Sequence, residues 1–129
     1  MPAEILERAG TPNHPITVEA APGTVTLSVG ETVLARSDSA LILREADYPP
    51  VYYLPRDAVD PSLLAPAEKV THCPFKGDAS HWTITLPGGD VVDPGAWSYE
   101  TPIDGMASIR GYLGFYVKAL GARFSPSPT

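Results

Sequence analysis

Cysteine is nearly absent from this sequence, and basic residues are few. The single cysteine, Cys73, excludes an internal disulfide and a zinc site built from several cysteines. Nine Lys and Arg residues stand against 15 Asp and Glu residues, and the resulting net charge of −6 has the wrong sign for binding nucleic acid. No stretch is apolar over the roughly 18 residues of a membrane helix, and residues 1–10 lack the apolar core of a secretory signal. These absences predict a cytoplasmic protein without membrane or nucleic-acid partners.

Proline, in contrast, is abundant and interrupts the chain almost everywhere. The 15 prolines exclude a helical bundle, because a proline inside a helix costs about 3 kcal/mol. The length of 129 residues fits one domain, and a hydrophobic share of 43% is enough to build its core. The sequence therefore predicts a single domain of many short strands joined by turns.

The most distinct local pattern is a hairpin at residues 25–36. Apolar and polar residues alternate from Val25 to Val29, as in a half-buried strand, and the next two residues, Gly30 and Glu31, suit a two-residue turn. Further strands are predicted at 40–46, 51–54, 69–72, 82–86, 91–93 and 96–99, and helical turns at 56–59 and 62–65. This pattern indicates a mainly β fold of antiparallel strands, arranged as two sheets or as a partly closed barrel.

The two ends of the chain and one internal stretch are assigned separately. Residues 1–15 contain three prolines and are expected to form a loose N-terminal arm. A single β domain is expected over 16–124, followed by a disordered tail at 125–129. Residues 105–120 carry apolar positions at both helical and strand spacing. A strand is favoured there, because two interior glycines would each cost a helix about 1 kcal/mol and the aromatic residues prefer strands.

Several segments occur in an order that resembles a known family. The most specific of them are the runs Cys-Pro-Phe-Lys-Gly at 73–77 and Trp-Ser-Tyr at 97–99. The others are Asp-Ser-Ala-Leu at 38–41, Pro-Val-Tyr-Tyr-Leu-Pro at 50–55 and Ile-Arg-Gly-Tyr at 109–112. Over about residues 16 to 120 the chain resembles the bacterial and fungal family called domain of unknown function 427, which also carries a nucleotidyltransferase-like label.

The resemblance implies a β-tent-like fold, in which two antiparallel sheets meet at a steep angle over a pocket and the helical parts are short turns. Related folds often hold zinc with four cysteines, a set that this chain lacks. A cereblon-like relative holds cyclic imides in an aromatic cage, which implies by analogy a ligand between the sheets. The residues do not support the nucleotidyltransferase label, because no glycine-rich phosphate loop opens a helix and Asp90 and Asp93 do not form a metal-binding pair on one strand face.

Three polar residues are candidates for catalysis. Cys73 can be a nucleophile activated by the nearby Lys76, or simply a small buried residue. Lys76 can hold an anionic substrate or act as a base, or it can be a surface lysine in a loop. Glu45 shares strand parity with Leu41 and Leu43, so this carboxylate must either find a donor or lie at a wet rim.

Aromatic residues are the candidates for ligand binding, with core packing as the alternative for each. They are Tyr52, Tyr53, Trp82, Trp97, Tyr99 and Phe115. Together with the three polar candidates, they predict an inter-sheet pocket that binds or acts on a small polar or anionic metabolite. The alternative is a binding module without chemistry, for a small molecule or a peptide. No metal and no cofactor are expected, and the sequence leaves open whether the chain is an enzyme and what its oligomeric state is.

Overall fold

Eleven short strands make up most of residues 5–129, the part of the chain that the computed structural model describes. The strands are β1 Ile5–Thr11, β2 His14–Ala20, β3 Val25–Val29, β4 Thr32–Ser37, β5 Leu41–Glu45, β6 Val51–Tyr53, β7 Leu64–Cys73, β8 Gly77–Thr85, β9 Val91–Ser98, β10 Leu113–Phe115 and β11 Arg123–Ser125. Three 3-10 turns lie at Arg56–Ala58, Pro61–Leu63 and Ala107–Ile109, and one α-helix, α1, at Val117–Leu120. With four residues, α1 is far shorter than a membrane span, and no described helix is long and apolar enough to be one.

The strands form three antiparallel sheets within the described residues. The first sheet has the order β1-β2-β5-β6, the second β10-β9-β8-β7 and the third β11-β3-β4. The first two sheets meet at their edges, where Leu54 and Leu113 exchange backbone hydrogen bonds of 3.0 and 2.7 Å. The predicted mainly β, antiparallel fold is confirmed. The third sheet adds to the two that the resemblance implies, because the β3–β4 hairpin pairs with β11.

Each of the first two sheets has a front and a rear face, since successive side chains of a strand point to opposite sides. The rear core lies between these sheets and the third sheet, and its larger members include Val25, Leu27, Ile42, Tyr52, Leu54, Ile84, Leu113 and Phe115. The front core consists of Ile16, Val18, Leu41, Leu43, Tyr53, Ala79, Tyr99, Met106 and Ile109. The front face is the side on which the candidate site lies.

The local predictions for the middle of the chain agree with the structure in type, although β7 and β8 begin five residues earlier than the strands predicted at 69–72 and 82–86. The hairpin has strands β3 and β4 with a two-residue turn, and Gly30 adopts a positive φ of 59° there. The helical turn predicted at 56–59 occurs as the 3-10 turn Arg56–Ala58. The one predicted at 62–65 occurs at Pro61–Leu63, and residues 64 and 65 belong to β7 instead. The piece at 96–99 is not separate from the strand at 91–93, because β9 runs from Val91 to Ser98.

The ends of the chain differ from their prediction. Residues 5–11 form β1 rather than a loose arm, and they pair with β2 across the two-residue turn Pro12-Asn13. Both nearby prolines are compatible with this hairpin. Pro12 lies in the turn, and Pro15 takes part in backbone pairing through its carbonyl, which accepts a 2.8 Å hydrogen bond from the N–H of Ala46. Residues 1–4 of the predicted arm lie outside the described residues. At the other end, Ser125 of the predicted tail belongs to β11.

Residues 105–120 are mixed rather than one strand. The 3-10 turn Ala107–Ile109 precedes β10, and the short α1 follows it. Gly111 takes a positive φ of 72° between the turn and β10, a conformation that side chains rarely adopt. The mixed spacing of apolar residues therefore reflects three short elements in succession.

Candidate functional site

A cavity of about 170 Å³ opens on the front face near the place where the first and second sheets meet. Strands β5 and β6 supply one wall, and β8 and β9 supply the other. Its lining consists of Leu43, Val51, Tyr53, Thr71, Lys76, Ala79, His81, Trp97, Tyr99 and Tyr116. We call it the inner cavity. It combines apolar walls with a few convergent polar groups, as small-molecule sites do.

Lys76 and Glu45 form an ion pair at the wall of this cavity. Lys76 Nζ donates to Glu45 Oε1 at 2.6 Å, and the side chains are only 13% and 15% exposed. The other carboxylate oxygen, Glu45 Oε2, lies 2.7 Å from His14 Nε2. Glu45 is the last residue of β5, whereas His14 is the first of β2. One carboxylate thus connects an ammonium and an imidazole.

The turn between β7 and β8 holds Lys76 in place. The backbone N–H of Lys76 donates to the carbonyl of Cys73 at 3.2 Å, and the carbonyl of Lys76 accepts a 3.1 Å bond from Ile103. Gly77 follows with a φ of 113°, which a residue with a side chain would adopt only under strain. The backbone of this turn is therefore fixed on both sides of the lysine.

The electrostatics of Glu45 follow from these contacts. Partial burial by itself would raise the pKa of Glu45, because the charged form loses water. The hydrogen bonds and charges of Lys76 and His14 outweigh this effect, and the pKa of Glu45 lies below its ordinary value of 4.5. The group is therefore a carboxylate at neutral pH.

Two tyrosines and an indole form the deeper wall of the cavity. Trp97 Nε1 donates to the hydroxyl oxygen of Tyr53 at 3.1 Å, so the hydroxyl proton of Tyr53 remains available for another acceptor. Burial raises the pKa of Tyr53 and of Tyr99, which keeps both hydroxyls neutral. Lys76 Nζ lies 6.0 Å from the ring centre of Tyr99. The wall presents neutral hydroxyl donors beside one cation.

Gly114 makes room for the indole of Trp97. The two residues are direct partners in the β9–β10 pair, and a Cβ atom at position 114 would overlap the six-membered part of the indole. The indole also packs against Tyr116, with ring centres 4.7 Å apart. Position 114 thus requires glycine, because a residue with a side chain would clash with the indole of Trp97.

His81 is a buried histidine at the wall of the cavity. Its residue exposure is 2%, and its Nε2 lies 2.8 Å from the hydroxyl of Tyr116 with the rings stacked. Its Nδ1 has no hydrogen-bond partner among residues 5–129. A buried polar atom without a partner is uncommon and costs stability, so it suggests a role other than packing.

The structure brings together five of the nine residues predicted from the sequence. Lys76, Tyr53, Trp97 and Tyr99 line the inner cavity, and Glu45 contacts Lys76 from its rim. The ammonium of Lys76 supplies the donor that the sequence analysis gave as one alternative for Glu45.

Two of the predicted ligand-binding residues lie in the rear core instead. Tyr52 follows the opposite strand parity from Tyr53, and its ring packs against Phe124 at 4.9 Å. Phe115 belongs to the same core and is 5% exposed. Both therefore stabilise the packing of the third sheet rather than line the inner cavity.

Trp82 and Cys73 also lie outside the cavity lining. Trp82 pairs with Ala96 and packs against the rear core, with Nε1 donating to Ser98 Oγ at 3.0 Å. Cys73 is partly buried against the front core and forms no disulfide. No three His, Cys, Asp or Glu side chains in residues 5–129 are placed to hold a metal ion.

Three titratable residues of the site were absent from the predicted set. His14 was assigned to the loose arm, and Tyr116 lies in the stretch of mixed spacing. His81 was not among the predicted site residues. Its register with Trp97 across β8 and β9 places both on the front face, but this pairing could not be derived from the sequence of either strand.

One family model matches most of the chain. Residues 17–125 match the model described as Domain of unknown function (DUF427). The chain belongs to this family. The DUF427 match covers β5 to β10 and therefore both walls of the inner cavity, and it begins after His14. The nucleotidyltransferase-like label is only the name of the DUF427 model. No curated protein matches the chain significantly.

Proposed function

We propose that this protein binds a small anionic or polar metabolite in the inner cavity, with Lys76 donating to its anionic group. The observation that carries the proposal is the ammonium of Lys76, held at the wall of a hydroxyl-lined cavity. No Asp or Glu is among the described residues that line the inner cavity, so its charged and hydroxyl groups are mainly donors. Such a lining favours a ligand rich in acceptors over a cationic one.

Glu45 does not prevent Lys76 from binding a ligand. An ammonium carries three N–H donors, and Glu45 Oε1 accepts one of them. The side chain of Lys76 is largely buried, so a hydrogen bond to a ligand carboxylate would form in surroundings that contain little water. Glu45 then acts as a positioning residue that aims the ammonium.

The size of the inner cavity limits what it can hold. Its volume of about 170 Å³ is close to that of an engineered cavity of about 150 Å³ that binds benzene. The bound part of the ligand is therefore a compact group of that size or smaller. A monocarboxylate such as propionate is a suitable probe.

The first experiment is an NMR titration of the protein with propionate. The indole N–H resonance of Trp97 should shift, because this indole lines the cavity. The indole of Trp82 is bonded to Ser98 outside it and serves as an internal control that should not shift. In parallel, native mass spectrometry of protein purified from its own host should detect a retained small molecule.

A pair of lysine variants tests the role assigned to Lys76. Lys76→Met should weaken propionate binding by about tenfold or more, since a hydrogen bond to a charged group contributes about 1.5–3 kcal/mol. Lys69→Met is the matched control, because Lys69 is exposed and lies outside the cavity lining. Equal affinities for the two variants would contradict the proposal.

Catalysis on the bound molecule is a second candidate, favoured by the pair of His81 and Tyr116. A buried imidazole bonded to a hydroxyl at a cavity is an arrangement suited to moving a proton. Incubation with a metabolite mixture should then deplete one compound, and His81→Gln should abolish the depletion while the affinity for propionate stays within about twofold. Binding without any depletion would instead support a binding module without chemistry.

A further inference from the structure

A second depression lies beside the inner cavity on the same side of the molecule. It has a volume of about 550 Å³, and we call it the outer cleft. Its walls are mainly rings and apolar groups, from His14, Tyr48, Pro49, Pro50, Val51 and Phe75. Glu45 supplies its charged group. None of the residues predicted from the sequence to bind the ligand belongs to this cleft.

The outer cleft and the inner cavity are neighbours. Val51 lines both of them, and Glu45 of the cleft is bonded to Lys76 of the cavity. Two short segments of the chain contribute to both spaces. In the first, residues 49–51 line the cleft and Tyr53 lines the cavity; in the second, Phe75 lines the cleft and Lys76 lines the cavity. The ion pair marks the boundary between the two spaces.

The volumes indicate that the two spaces serve one ligand. Small-molecule sites usually measure about 300–1,000 Å³. The inner cavity, at about 170 Å³, is below this range, whereas the adjoining cleft would bring the whole site within it. A ligand confined to the inner cavity would also leave the neighbouring aromatic walls exposed to water.

Three of the seven residues that line the cleft have aromatic side chains. The rings of His14 and Phe75 are stacked, with centres 4.2 Å apart and planes 12° from parallel. Tyr48 meets the His14 ring edge-on at 6.3 Å, and its residue is 66% exposed. These rings present flat apolar surface beside an open space, which suits a flat ring of a ligand.

We infer that the ligand has two parts: a compact anionic head in the inner cavity and an aromatic ring in the outer cleft. The substrate class is thus an aromatic acid in which a short linker joins the ring to the carboxylate. The head is bound by Lys76, and the ring lies against Tyr48 and Phe75. This inference rests on the proposed function, because it takes the anion site at Lys76 as its starting point.

The test compares propionate with 3-phenylpropionate, which differ only in the ring. Affinities for both are measured by NMR titration of the full chain. In the unmodified protein, 3-phenylpropionate should bind about tenfold more tightly, as expected for one aromatic contact with burial of the ring. Tyr48→Ser and, separately, Phe75→Ser should each reduce this ratio severalfold and leave the affinity for propionate within about twofold.

Two further variants separate the possible failures. Val91→Ser is the matched control, because Val91 is 62% exposed and lines neither space, and it should leave the ratio unchanged. Lys76→Met should weaken both probes. If the ring adds no affinity, or its gain survives both cleft variants, the two-part ligand is wrong while the anion site stands. If Lys76→Met weakens neither probe, the proposed function itself is wrong.

Discussion

The two faces of strands β5 and β6 carry similar side chains but have different surroundings. On the rear face, Ile42 and Tyr52 are covered by the third sheet and packed in a core of apolar side chains. On the front face, Leu43 and Tyr53 are just as buried, yet they adjoin a cavity with an ammonium at its wall. Both faces are thus buried at these positions, but they differ in where their charged groups lie. The ammonium of Lys76 lines a cavity on the front face, whereas the ion pair of the rear face, Arg44 with Glu19, has an arginine that is 44% exposed.

The difference bears on why the charges are present. Replacing a buried ion pair by apolar side chains is often neutral or stabilising, so such a pair is weak evidence for a contribution to stability. The rear face demonstrates that these strands can be covered by apolar packing. The presence of Lys76, Glu45 and His81 on the front face therefore supports a binding role for this face, in line with the proposed function.

The largest effect on stability is expected from the rear core. Leu27 of β3 is fully buried, and Leu27→Ala should lower the free energy of unfolding by about 2–5 kcal/mol, through lost burial and the cavity that remains. Urea denaturation measures this loss. Below the unfolding transition, the variant should bind propionate with unchanged affinity, because Leu27 does not contact the inner cavity. Weakened binding by the folded variant would show that the two faces are coupled.

An intermediate effect is expected from the charge at the boundary of the two spaces. Glu45→Gln removes the negative charge and replaces one of the two accepting oxygens by an NH2 donor, so it should lower the free energy of unfolding at pH 7 by about 1–2 kcal/mol. The control is Glu100→Gln, whose Arg56 pair is 43% and 40% exposed and should contribute less than about 1 kcal/mol. Urea denaturation of both variants provides the comparison. Equal losses of unfolding free energy would contradict the expectation that the ion pair of the front face contributes more than an ion pair at the surface.

The pH dependence of Glu45→Gln gives a sign that can be checked. Because the pKa of Glu45 in the folded chain is below 4.5, the unfolded chain binds this proton more tightly. The stabilisation by the carboxylate is therefore fully present above about pH 4.5 and is lost as the pH falls through the folded value. The difference in unfolding free energy between the unmodified protein and the variant should shrink in that range. A difference that grows on acidification would be inconsistent with the ion pair.

The sequence predicted which segments form strands more successfully than it predicted which face of the sheet each side chain occupies. Alternation along β3 identified a half-buried strand, because one side of it faces the rear core and the other is less buried. In β5, however, Leu41, Ile42 and Leu43 are all buried, since both faces are covered. When every position is apolar, the sequence pattern does not show which side chains belong to the front core and which to the rear core. The two tyrosines of β6 were both assigned to the ligand for the same reason.

The full set of site residues could not be predicted, because pairing between strands that are distant in sequence brings these residues together. Register places His81 opposite Trp97 and Trp82 opposite Ala96, so each pair shares a face. Sequence alone supplied the residue types but not this register, which is why Trp82 was predicted in the site and His81 was left out. Glu45 was found because its charge interrupts an apolar strand face. His14 was missed because only the hairpin of β1 and β2 places it there.

The smallest effect, and the sharpest comparison of the two faces, comes from the neighbours Tyr53 and Tyr52. Tyr53→Phe removes the acceptor of the Trp97 indole N–H and should lower the free energy of unfolding by about 0.5–1.5 kcal/mol. Tyr52→Phe should change it by less than about 0.5 kcal/mol, since the hydroxyl of Tyr52 has no hydrogen-bond partner among the described residues. Urea denaturation and the indole N–H resonance of Trp97 report on both variants, and the resonance should move only in Tyr53→Phe. If both substitutions moved it equally, the hydrogen bond across the inner cavity would not be what holds this indole, and the donor-lined wall that the anion site requires would be in doubt.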